Sequence, residues 1–155
     1  MKNPENILKK LNIILPNAPN PVANYVSIVE TGDLLFVSGN GPGLRDDKTP
    51  YSGKPNLSIS EEDAIAASYS VGLNILSQVK KHTGNLNKIN RVIRVFGMIN
   101  STYNFENHSK IIDACSNLFT EIFGESGIHS RTSIGMGSLP FEIPVEIETI
   151  FELKN

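Results

Sequence analysis

The amino-acid sequence predicts an α+β sandwich: one β-sheet carrying two long helices on a single face. Three observations lead there. Two stretches of more than fifteen residues show apolar residues at helical spacing. Five shorter runs alternate or are rich in β-branched residues. Their order along the chain is β-β-α-β-α-β-β, with a short extra helix in front.

The opening "MKNPENILKKLNIILPNAPNP" is too polar for an export signal and suits a short amphipathic helix. Asn3 stands at its N-cap and Pro4 at its first position. "YVSIVETGDLLFVSG" reads as a hairpin around a Thr-Gly-Asp turn, and "NGPGLRDDKTPYSGKPN" as a loop. The first long helix lies in "SISEEDAIAASYSVGLNILSQVKKHTG". Ser58 with Glu61, or Ser60 with Asp63, makes its capping box, and Gly84 ends it. Its apolar stripe is read as Ile65, Tyr69, Gly72, Leu76 and Val79.

"INRVIRVFGMIN" is a buried strand. The second long helix follows in "NFENHSKIIDACSNLFTEIFG", capped near Asn104 and stopped by Gly124. Ile111, Cys115, Leu118 and Ile122 form its stripe, widened by Ile112, Phe119 and Phe123. "SRTSIGMGSLPFEIPVEIETIFE" then reads as a closing hairpin. On its last strand Val145, Ile147, Thr149, Phe151 and Leu153 face the helices. Glu146, Glu148, Ile150 and Glu152 face away. Arg131, Ser133, Gly135, Gly137 and Leu139 share a face of the strand before it. Two helices cover one side of such a sheet, so the other side is expected to pack against further copies of the chain.

The chain has 155 residues, 39% hydrophobic and 19% charged, which suits one globular domain spanning 1–155. Its net charge of −2, without a basic run, offers no footprint for nucleic acid or an anionic membrane. No apolar run approaches the roughly 20 residues that span a bilayer. A single cysteine excludes an internal disulfide and makes a cytoplasmic setting the simplest reading.

Familiar catalytic motifs are missing. His82, His108 and His129 have no metal-ligand spacing, and one cysteine makes no zinc site, so no metal is expected. "GNGPG" lacks a P-loop lysine, and Leu44 stands where a dinucleotide motif needs its last glycine, so no cofactor is expected either. Cys115, on an apolar helix stripe, reads as a buried small hydrophobe. The closing segment keeps two readings. Arg131 is either a strand-end arginine paired with a glutamate of the next strand, or a planar fork for a ligand carboxylate. Glu146 is either an arginine's partner or the carboxylate that orients a water.

A pattern stands out in that segment: Arg131-x-Ser133, five residues, Leu139-Pro140, five residues, Glu146-x-Glu148. It resembles the signature of the RidA/YjgF family of reactive-intermediate deaminases, also described as L-PSP endoribonucleases. "NYVSIVETGDLLFVSG" is similar to the family's first hairpin, with Tyr25 and the Ser38-Gly39 pair in place, and "RVIRVFGMIN" to its third strand. The N-terminal helix and "SKIIDACSNLFTEIFGESGIHSR" look like the family's longer L-PSP branch. The resemblance implies a chorismate-mutase-like fold, a homotrimer with clefts between subunits, and cofactor-free hydrolysis of 2-imino or 2-enamino acids to 2-oxo acids and ammonia. It makes Arg131 the binder of the substrate carboxylate and Glu146 the group that manages the attacking water. Tyr25 walls the pocket, Ser38 and Gly39 lie beside the substrate, and the backbone of Ser133 bonds the water or the imine nitrogen. Two positions depart from the pattern. Ser133 replaces a frequent cysteine, and Asp113 aligns with a family asparagine, where a carboxylate disfavours an anionic ligand. A carboxylate-binding protein without turnover and an RNA-cleaving enzyme are the competing readings.

Overall fold

The computed structural model describes residues 3–21 and 23–154. Helix α1 (Pro4–Lys10) starts where the side chain of Asn3 accepts the amide of Asn6. Strands β1 (Ile28–Thr31) and β2 (Leu34–Asn40) form the first hairpin. Its turn needs φ of 55° at Gly32, a conformation open to glycine at little cost. Helix α2 (Glu61–Thr83) is capped by Ser60, whose hydroxyl accepts the Asp63 amide at 3.0 Å. It ends at Gly84 in the left-handed region. Strand β3 (Ile89–Asn100), helix α3 (His108–Phe123), strand β4 (Ser130–Met136) and strand β5 (Val145–Leu153) complete the expected order. Helix α3 begins after Asn107 rather than near Asn104.

The sheet runs β1-β2-β5-β3-β4 and is mixed, with β3 and β4 parallel and every other pair antiparallel. The last two strands are therefore not a hairpin, because β3 lies between them. The long, apolar β3 needs a neighbour on each side. Its crossover through α3 returns the chain parallel to it as β4. The proline-bearing segment 137–144 then passes the end of β3 and feeds β5 into the middle of the sheet.

Helices α2 and α3 pack on one face over Leu35, Val37, Val92, Val95, Ile99, Val145, Ile147 and Phe151. The stripe of α3 is buried as expected, including Cys115, whose thiol is pushed well above its ordinary pKa by that burial. The expected stripe of α2 is buried at Gly72, Leu76 and Val79 but departs in the first turns, at Ile65 and Tyr69. Ala64, Ala67, Val71, Ile75 and Val79 are buried, whereas Tyr69 is exposed. Small residues let the helices approach: a side chain at Gly72 would meet Leu118 at 2.9 Å and Cys115 at 3.2 Å.

The uncovered face is part apolar and part charged. Val29, Phe36 and Ile134 are 53%, 42% and 39% exposed. Phe96, Met98 and Ile150 lie among them, with Glu146, Glu148 and Glu152 on β5. Arg94 stacks over Phe96, and Arg91 is registered opposite Glu152. On β4 this face is Thr132, Ile134 and Met136. The run Arg131, Ser133 and Gly135 turns the other way, toward α3, since those residues register with Val95, Gly97 and Ile99. Gly135 is closely approached from within the chain: a side chain there would meet Ser101 and His108.

Candidate active site

A bulge in β2 after Val37 turns Ser38 and Gly39 toward the end of β5, where Glu146 begins the uncovered face. A cleft of about 430 Å³ opens there, lined by Tyr25, Ser38, Gly39, Asn40, Phe141 and Glu146 among others. The carboxylate of Glu146 lies against Gly39, in the space that a Cβ would take. Partial burial, and behind it the charge of Glu148, raise the Glu146 carboxyl above its ordinary pKa. The Ser38 hydroxyl donates to the Val26 carbonyl at 2.8 Å, which fixes its proton and leaves the oxygen free to accept.

The wall itself rests on buried amides. Asn40 donates to the carbonyl of Ser38 at 2.8 Å and to Gln78 at 3.1 Å. Gln78 in turn donates to Pro19, and Asn74 donates to Gly41. Sequence reasoning missed this scaffold. Its trace was present as Asn74 and Gln78, four residues apart on an otherwise apolar side of α2.

Arg131 and Ser133 lie elsewhere. Arg131 registers with the buried Val95 and Glu146 with Met98 on the uncovered side, so their side chains leave opposite faces of the sheet. Of the six expected site residues, one chain gathers Tyr25, Ser38, Gly39 and Glu146. It keeps Arg131 and Ser133 at its other edge, on strand β4. The arginine is paired, though with no glutamate of a neighbouring strand. Its Nη1 donates to Asp113 Oδ1 at 2.7 Å and to Ser116 Oγ at 3.1 Å, both on α3. Ser116 is 2.9 Å from His129 Nε2, while His129 Nδ1 donates to the Gly127 carbonyl at 2.6 Å. Burial lowers the His129 pKa and favours the neutral ring, so Nε2 accepts the serine proton. The Ser133 hydroxyl is buried without a hydrogen-bond partner. Because β4 is an edge strand, alternate backbone groups along it face no further strand.

His82 pairs with Glu30, and His108 lies 3.3 Å from Ser101. Among the described residues no three His, Cys, Asp or Glu side chains are grouped to hold a metal ion. No helix among them is long and apolar enough to cross a membrane.

The sheet and its two helices match a known architecture. The family model described as "YjgF/chorismate_mutase-like, putative endoribonuclease" matches residues 5–147. The chain belongs to that family. It is 34% identical over 149 residues to Protein TCP17 of Trypanosoma cruzi, covering 96% of this chain and 92% of that one. The crystal structure of Atu1372 from Agrobacterium tumefaciens, a protein of unknown function, superposes with a TM-score of 0.86 at 38% identity. That match covers 97% of this chain and 92% of the other. A Shewanella oneidensis protein described as a putative endoribonuclease gives a TM-score of 0.89 at 28% identity, covering 97% and 99%. The YjgF product of E. coli shares the fold at 18% identity, with a TM-score of 0.62 over 90% and 94% of the chains.

Proposed function

We propose that the protein hydrolyses reactive 2-imino and 2-enamino acids to 2-oxo acids and ammonia, without a cofactor, in clefts shared between the subunits of a homotrimer. The observation that carries this is the convergence of Tyr25, Ser38, Gly39 and Glu146 on one cleft, with a carboxyl of raised pKa at its wall. Arg131 and the backbone of Ser133 complete the site from the adjacent subunit, because within one chain they lie across the sheet from Glu146. The half-apolar uncovered face supplies the surface that such a trimer buries.

The chemistry needs positioning and one proton carrier. Arg131 holds the substrate carboxylate, which sets C2 of the imine over a water beside Glu146. Glu146 takes a proton from that water as its oxygen bonds to C2 of the N-protonated imine, and the C=N electron pair moves to the iminium nitrogen, which becomes a neutral amine. The resulting carbinolamine collapses as Glu146 returns its proton to nitrogen. The C–N bond breaks, ammonia leaves, and the hydroxyl proton is released as the C=O bond forms. A carboxyl of raised pKa suits both halves of this cycle near neutrality.

RNA cleavage is the weaker reading for this chain, since its charge is −2 and the arginines of the uncovered face lie among glutamates. The deciding experiment follows the decay of imino acids generated in situ by an amino-acid oxidase. Decay should accelerate in proportion to added protein. Unaltered decay, together with measurable binding of 2-oxo acids, would establish a carboxylate-binding protein instead.

A further inference from the structure

Capture of a bare carboxylate does not explain the surroundings of Arg131. A guanidinium prepared only for an anion is best held by neutral acceptors, and Ser116, braced by His129, is one. Asp113 is a full carboxylate on the same Nη1 nitrogen, at 2.7 Å. It cancels much of the local charge that would attract an anion. The guanidinium keeps its remaining N–H groups for a ligand, because Asp113 and Ser116 both bind at Nη1. A carboxylate bound there lies within a few ångströms of Asp113, where like charges repel at a cost worth roughly tenfold in affinity.

That repulsion is offset when the ligand carries a positive charge beside its carboxylate. The N-protonated form of a 2-imino acid does so, with an iminium on the carbon next to the carboxylate. The 2-oxo acid formed from it has lost that charge. We propose that Asp113 makes this site select zwitterionic ligands over simple anions, so that the iminium acid is held in preference to its 2-oxo acid product. This rests on Arg131 being the carboxylate-binding group. Asp113 then acts as a specificity residue, discharging the product once nitrogen has left.

The test measures calorimetric affinities of trimeric protein for alanine, a stable zwitterion, and for pyruvate, the matching bare anion. Asp113→Asn keeps the shape of the side chain and removes its charge, at a half-exposed position where the fold has little at stake. The ratio of alanine to pyruvate affinity should fall about tenfold in Asp113→Asn, chiefly because pyruvate binds more tightly. Arg131→Lys should weaken both ligands together. An unchanged ratio in Asp113→Asn, with both ligands still weakened by Arg131→Lys, overturns the selectivity and leaves Arg131 as the carboxylate binder. Absence of binding to wild type and Asp113→Asn alike, with imine decay indifferent to Arg131→Lys, overturns both.

Discussion

The carboxylate of Glu146 occupies the space that a side chain at Gly39 would fill. Gly39 has no left-handed backbone requirement, so alanine there costs little in conformation. What it does is push Glu146 out of place. Gly39→Ala should therefore fold and assemble normally while kcat for imine hydrolysis falls by roughly 10²-fold, the effect of about an ångström of misplacement. A melting curve beside the imine-decay assay checks this. Full activity in a correctly folded variant would detach Glu146 from the chemistry.

Arg131 and Glu146 should fail in different ways. Arg131→Ala removes charge-assisted hydrogen bonds worth roughly 1.5–3 kcal/mol each, so kcat/KM should fall by about two to four orders of magnitude. Arg131→Lys should recover little, since a point charge does not reproduce the planar fork. Glu146→Gln should lower kcat about 10²–10⁴-fold while binding of 2-oxo acids persists. Steady-state kinetics and calorimetry on the same preparations separate the two patterns. Wild-type rates in both variants would leave the residues structural.

Mixing these variants tests whether the site is shared. If Arg131 and Glu146 come from adjacent subunits, co-refolding equal amounts of Arg131→Ala and Glu146→Gln restores roughly a quarter of wild-type sites. Neither variant alone approaches that activity. If both residues came from one chain, mixing would restore nothing. Light scattering should give a trimer, and Phe36→Asp on the uncovered face should dissociate it and abolish activity together.

Burial raises the Glu146 pKa, and this has a sign for stability. The folded chain holds that proton more tightly than the unfolded one. Stability from this group is therefore intact below the ordinary carboxylate pKa and is lost as pH rises through the raised value. Glu146→Gln carries no such titration. It should melt above wild type at neutral pH, with the gap closing as pH falls below the ordinary carboxylate range. Activity should run oppositely, failing in wild type as acid protonates Glu146. Melting curves from pH 3 to 8 (roughly the span of carboxyl titration) check both. A gap that does not change with pH would mean that Glu146 ionises as it does in water.

Local pattern was enough to determine the elements, their order and the two faces of β5. Each depends on residues close in sequence: Ser60 capping α2, Gly84 ending it, and Val145, Ile147 and Phe151 alternating with glutamates. The polar closing segment singled out Arg131 and Glu146, family likeness added Tyr25, Ser38, Gly39 and Ser133, and four of the six line one cleft. Periodicity does not say which strands become neighbours, and there the sequence reading went astray. Pairing of β4 and β5 was the nearest choice in sequence, but β3 intervenes because its buried length takes a partner on each edge. The side of the sheet from which Arg131 emerges followed from that choice, since a strand's alternation shows which residues share a face but not which face is covered. The departure at the first turns of α2 has a similar origin: Tyr69 is apolar enough for the core, but Ala64 and Ala67 allow a closer approach of backbone to backbone. Only the packed structure brought Asp113 of α3 to Arg131 of β4, because an ion pair across two elements is decided by how a helix seats on a sheet.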